Sequence, residues 1–84
     1  MFTVYVIRSS RGTRYIGYTG DLAKRLNQHN AGISTFTSRD SGWRVIHQET
    51  YQTRAEAIRR EKRLKSGEGR RFIGTLKDRG SSGS

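Results

Sequence analysis

The sequence predicts a small α+β domain, a three-stranded antiparallel sheet flanked by helices in the order β-β-α-β-α-α, and three observations lead there. Two runs of β-branched and aromatic residues near the start are separated by five polar residues, which is hairpin spacing. Strand-like and helix-like segments then mix without the regular βα repeat of a doubly wound sheet. Finally, 84 residues of which 31% are hydrophobic suffice for one modest core and no second domain.

Phe2 to Arg8 (FTVYVIR) reads as the first strand and Arg14 to Tyr18 (RYIGY) as the second. Between them, Ser9 to Thr13 is turn material with Gly12 available for a positive φ. Thr19 is placed to cap a helix over Asp21–Asn30, with Asp21 in its first turn and Gly32 closing it. The stretch 33–42 is polar loop. Trp43 to Tyr51 reads as a third strand whose alternation is broken where Val45 and Ile46 stand together. Thr53-Arg54-Ala55-Glu56 has capping-box spacing, so that hydroxyl and carboxylate would each satisfy the other's backbone N–H. A helix from Arg54 to about Lys65 follows, and Ser66-Gly67 breaks it. Glu68 to Lys77 forms a last helix with Phe72, Ile73 and Leu76 on one side. The domain is thus residues 1–77, and the Gly/Ser-rich end 78–84 is read as a flexible tail outside the fold.

Composition narrows the function. There is no Cys, which excludes a disulfide scaffold and a zinc ribbon and fits a reducing compartment. No apolar run approaches the roughly 20 residues that span a bilayer, and the start lacks the regions of a signal peptide, so no membrane partner and a cytoplasmic location are expected. Seventeen Lys and Arg stand against seven Asp and Glu, a net charge of +10 that calls for a polyanionic partner, nucleic acid first among them. Half of that surplus lies between Arg54 and Arg71, where eight basic residues face three Glu.

Three elements offer polar groups to a common side. On the second helix, with Ala57 as origin, Leu64 falls about 20° to one side and Glu61 about 40° to the other, which puts a carboxylate inside the apolar arc. Such a group needs a cation or a metal, and both an ion pair with a neighbouring Arg or Lys and a metal ligand stay open for it. On the first helix, Leu22, Leu26 and His29 share an arc, and Arg25 lies one turn before His29. Together they would grip a phosphate and relay a proton, or else form a boundary histidine and a snorkelling arginine. In the hairpin, Tyr5 and Tyr15 come opposite each other if the register centres on Ser10, which would set both phenols on one face, as reacting groups or as packing.

Tyr15-Ile16-Gly17 thus follows Tyr5 by ten residues, then come Thr19, Arg25 and His29 as R-x-x-x-H, and then Glu61-Lys62-Arg63-Leu64-Lys65. This ordered set resembles the GIY-YIG nuclease domain, especially its small stand-alone bacterial members, over about Met1 to Leu76. Thr3-Val4-Tyr5 stands where the family has Gly-Ile-Tyr, and the tyrosine is kept.

The resemblance implies a divalent-metal-dependent endonuclease that hydrolyses phosphodiester bonds, with DNA the expected substrate, and leaves 5′-phosphate and 3′-hydroxyl ends. It casts Tyr5 as general base, its phenol acidified by the surrounding cations, and Tyr15 as the group that orients water or phosphate. Arg25 would hold the phosphate, His29 would assist proton transfer, and Glu61 would bind one Mg²⁺ or Mn²⁺, a hard cation that prefers oxygen ligands. Gly17, Thr37 and Lys65 are supporting positions. Arg14, Lys24, Arg39, Arg60, Lys62, Arg63, Arg70 and Arg71 are the expected nucleic-acid contacts, and a monomer or weak dimer is expected. The competing reading is a non-catalytic, basic nucleic-acid-binding module of the same fold. It draws on the altered first signature and on the lack of any Asn beyond Asn30, where longer family members carry one after the metal-binding Glu.

Overall fold

The computed structural model describes residues 1–32 and 40–76, and its six elements follow in the predicted order. They are β1 (Phe2–Arg8), β2 (Arg14–Thr19), α1 (Leu22–Asn30), β3 (Arg44–Tyr51), α2 (Arg54–Leu64) and α3 (Gly67–Thr75). The expected tail, Thr37 and Arg39 lie outside the described residues. β1 is the central strand of an antiparallel sheet in the order β2-β1-β3. Its consecutive apolar residues, Val4 to Ile7, are all buried because both faces of the strand are covered. Val4 and Val6 point to one face and pack with Ile46, Ala57, Leu64 and Ile73. Tyr5 and Ile7 point to the other and pack with Trp43, Tyr15, Leu22, Leu26 and Val45. The sheet therefore lies between α2 and α3 on one side and α1 on the other.

Four local expectations are corrected. The hairpin register centres on Arg11, not Ser10, so Tyr5 pairs with Gly17 and Tyr15 with Ile7. Ser9 sets this register: its buried hydroxyl accepts from the N–H groups of Arg11 and Thr13, and Gly12 turns the chain at φ +93°. The two tyrosines still share a face, because a two-residue offset preserves side-chain parity. The cap of α1 is Asp21, in extended conformation with its carboxylate accepting from Lys24 N–H at 3.1 Å. Thr19 instead accepts from Asp21 N–H in a local turn just upstream.

The adjacent Val45 and Ile46 mark a β-bulge. Val6 pairs with His47 and Ile7 with Val45, so Ile46 is the extra residue. That insertion puts Ile46 and its neighbour His47 on one face, both toward α3, and keeps Val45 on the other with Ile7. At α2, Thr53 caps Glu56 N–H at 3.2 Å as predicted, but the Glu56 carboxylate accepts from the Thr53 hydroxyl at 2.9 Å. Ser66 then caps α3, accepting from Gly69 N–H, so α3 starts one residue earlier than expected. Gly69 permits the tight α2–α3 corner, since a Cβ there would overlap the carbonyl oxygens of Arg63 and Leu64.

Candidate active site

The face of the sheet beneath α1 carries a polar cluster inside an aromatic wall. Tyr5 projects from β1 and is 1% exposed; His29 projects from the last turn of α1 and is fully buried. The Tyr5 hydroxyl and His29 Nε2 are 2.9 Å apart. Tyr15 stands beside both, its ring centroid 6.3 Å from that of Tyr5 and 4.9 Å from that of His29. Trp43 closes the far side, 6.5 Å from His29 between ring centroids. Arg25, one helical turn before His29, directs its guanidinium at both phenols and also donates to Gln28 at 3.0 Å. Tyr5 and His29 are thus the interior of the cluster, and the half-buried Tyr15 and Arg25 are its outer layer.

The register explains how two phenols fit. Gly17 lies opposite Tyr5, and a Cβ at that position would fall 2.7 Å from the Tyr5 hydroxyl oxygen and 3.1 Å from the Tyr15 ring. The supporting role expected of Gly17 has this physical content.

Electrostatics correct one expectation. The Tyr5 phenol is not acidified: burial pushes it up, and hydrogen bonding from Arg25 offsets this only in part. The neighbouring Tyr15 and the Glu61 charge push in the same direction as burial, so Tyr5 keeps its proton at neutral pH. His29 moves the other way, since burial and then the Arg25 charge hold it below the usual imidazole value. In the tautomer that leaves Nε2 unprotonated, a neutral His29 accepts the Tyr5 proton in this hydrogen bond. Burial disfavours the charge on Arg25, but hydrogen bonding to Tyr5 and Tyr15 outweighs it and keeps the guanidinium charged.

Glu61 sits on α2 where the helical arc put it, its side chain 18% exposed, with Lys65 Nζ at 3.6 Å one turn on. α2 packs on the opposite face of the sheet from α1, and Glu61 acts on Tyr5 only as a charge that pushes the phenol up, the least of the influences on it. Among the described residues no three His, Asp or Glu group into a metal cage. One shielded carboxylate still suits Mg²⁺ or Mn²⁺, which hold several waters and complete their shell with substrate phosphate oxygens. The donor set fits such an ion bound through Glu61, and does not fit a closed structural site.

The basic residues divide. Arg14, Lys65 and Arg70 line a cavity of about 570 Å³ together with Tyr15, Ile16 and Ile73, at the edge of the sheet formed by β2. Lys24, Lys62 and Arg71 are exposed. Arg63 is exposed but lies 3.4 Å from Glu68. Arg60 is engaged within the fold: its guanidinium grips Glu49 at 2.8 and 3.1 Å, and His47 and Tyr51 bind the same carboxylate. Burial would raise the Glu49 carboxyl, yet these partners hold it at about 2.

Sequence reasoning missed Asn30. Its amide donates to the carbonyl of Trp43 at 3.1 Å and accepts from its N–H at 2.7 Å, tying the end of α1 to the start of β3. A polar residue at a helix end, next to a buried histidine, is the available signal; its partner is 13 residues away and has no local signature.

Comparison with known proteins agrees with this geometry. The profile of the GIY-YIG catalytic domain matches residues 1–72. A UPF0213 protein of Halobacterium salinarum is 42% identical over 66 residues, which span 77% of this chain and 86% of the relative. A UPF0213 protein of Staphylococcus aureus is 31% identical over 77 residues, 90% of this chain and 94% of the relative. The solution NMR structure of the UPF0213 protein BH0048 from Bacillus halodurans superposes with a TM-score of 0.54 at 25% identity, over 89% of this chain and 84% of that one. With its matched profile, its ordered motifs and its clustered tyrosines, arginine and histidine, this chain belongs to the GIY-YIG family, a nuclease superfamily, and to its small UPF0213-type members.

Proposed function

We propose that the protein is a divalent-metal-dependent endonuclease that hydrolyses phosphodiester bonds of nucleic acid, DNA first, to leave 5′-phosphate and 3′-hydroxyl ends. The observation that carries this reading is the buried Tyr5–His29 hydrogen bond with the Arg25 guanidinium beside it. A buried phenol bonded to a neutral imidazole is a proton-transfer pair, and a charged arginine next to it is an anion clamp.

In this mechanism Arg25 binds the scissile phosphate and stabilises the charge that grows on its oxygens. Tyr15 orients the attacking water against that phosphate. Tyr5 takes a proton from the water as its own proton passes to His29 Nε2, so no free phenolate has to exist beforehand. Glu61 would hold the metal ion, which supplies Lewis-acid neutralisation of the departing 3′-oxygen when bound. Lys65, with its Nζ 3.6 Å from Glu61, would balance the charge of that carboxylate.

The test is incubation of end-labelled single- and double-stranded DNA with Mg²⁺, Mn²⁺ or EDTA, wild type beside Glu61→Ala. Metal-dependent cutting that the variant loses while it still binds DNA supports the enzyme. Binding by both proteins with no cutting, across metals and substrates, overturns it in favour of a non-catalytic nucleic-acid-binding module.

A further inference from the structure

We infer that the cavity at the β2 edge is a nucleotide subsite that takes one unstacked nucleotide next to the scissile phosphate, which makes an unpaired strand the preferred substrate. The inference rests on the nuclease reading of the neighbouring cluster for where that phosphate lies. Three elements build the cavity: Arg14 and Ile16 from β2, Lys65 at the end of α2, and Arg70 and Ile73 from α3. Among the described residues its lining holds three cations and no carboxylate. The second large cavity, at the β3 edge, is unlike it: Arg59, Arg60 and Arg63 there stand among Glu56 and Glu68, and Arg60 is bound to Glu49. The β2 side thus keeps the larger surplus of positive charge, with the Glu61 carboxylate beside Lys65 offsetting only part of it.

Shape adds what charge alone does not. The cavity measures about 570 Å³, and Ile16, Ile73 and Tyr15 stand in its lining beside the cations. That volume is in the range of small-molecule pockets, and its lining offers a base two aliphatic residues and one aromatic residue. Tyr15 belongs both to this wall and to the reacting cluster, and Lys65 is bound to the candidate metal carboxylate. A strand whose scissile phosphate lies at Arg25 would reach the cavity past Tyr15. A base held in a duplex is covered on both faces and paired along its edge, so it cannot enter without leaving the stack.

The experiment measures binding in EDTA, where no cutting occurs, by fluorescence anisotropy of labelled tetrathymidylate, an abasic tetramer with the same number of phosphates, and a blunt duplex. The expected result is tetrathymidylate binding on the order of tenfold more tightly than the abasic tetramer, in keeping with base–aromatic stacking. It should also bind more tightly than the duplex. Arg14→Glu and Arg70→Glu, both at exposed positions, should each weaken binding about tenfold and lower the log–log salt slope by about 0.7 for each phosphate no longer neutralised. Arg59→Glu, in the other cavity, should change binding less than twofold. Equal affinity for the abasic tetramer, tighter binding of the duplex, or an equal effect of Arg59→Glu overturns the subsite. Failure of the nuclease reading looks different: the binding pattern holds, yet metal never brings cutting.

Discussion

The Tyr5 hydroxyl lies against the backbone of Gly17, at a point where any Cβ would come within 2.7 Å of the phenol oxygen. Tyr5 is fully packed and bonded to His29, so its ring cannot swing aside as an exposed side chain would. Gly17→Ala should therefore displace the phenol from the imidazole. The overpacking should cost about 1–3 kcal/mol of stability, and misplacement near the chemistry should lower the cleavage rate on the order of a hundredfold. Denaturant titration and single-turnover cleavage check this, and an alanine variant with wild-type rate would show that the Tyr5–His29 geometry is not needed.

The opposed shifts of Tyr5 and His29 fix the pH behaviour. His29 is held below its ordinary value of 6.5, so the imidazole still accepts a proton in mildly acidic solution. The cleavage rate should stay level down to pH 6.5 and fall only beneath it, with no alkaline limb from Tyr5 until beyond pH 10. The same shift links to stability. The unfolded chain binds the proton at 6.5 while the folded chain refuses it, so stability is complete above 6.5 and is lost as pH falls toward the folded value. Between pH 7.5 and 5.5 the wild type should lose more stability than His29→Gln, and an imidazole titrating above 6.5 by NMR would contradict both expectations.

Much of this site was legible because its residues sit on regular elements. A two-residue period placed Tyr5 and Tyr15 on one face, and a 3.6-residue period placed Arg25 beside His29 and Glu61 within the arc of Ala57 and Leu64. What the pattern could not supply depends on residues far apart in the chain. The Tyr5–Gly17 pairing follows from Ser9, whose hydroxyl holds the turn and donates to Asp40, 31 residues away. The broken alternation at Val45 and Ile46 was visible, but only the partner strand shows it to be a bulge. The acidity of the Tyr5 phenol was misjudged because counting nearby cations ignores burial, which here is the larger effect.

Arg60 separates fold from ligand binding. It grips Glu49, which its partners hold at about 2 against an ordinary 4.5, so the cluster's contribution is complete above the unfolded carboxyl value and is lost as pH falls toward 2. That shift sets an upper limit of about 3 kcal/mol. Arg60→Met should destabilise the protein by about 1–3 kcal/mol at pH 7, through the charge left on Glu49. The difference from wild type should shrink between pH 4.5 and 2. The salt slope of oligonucleotide binding should not change, and a slope reduced as much as in Arg70→Glu would return Arg60 to the nucleic-acid contacts.

Asn30, next to the buried imidazole, clamps the end of α1 to Trp43. Its amide closes on both the N–H and the carbonyl of Trp43, and His29, the preceding residue, has the Trp43 ring beside it. Asn30→Ala leaves both Trp43 backbone groups without that partner and should cost about 1–3 kcal/mol. Asn30→Asp keeps the acceptor for the Trp43 N–H and gives up the donor, so it should fall between the two. If the clamp acts by holding His29, Asn30→Ala lowers kcat with little change in KM, shifts the imidazole titration toward the ordinary value as the ring gains solvent, and alters Trp43 fluorescence. Loss of stability with an unchanged imidazole titration would mean that the clamp serves the α1–β3 junction and not the chemistry.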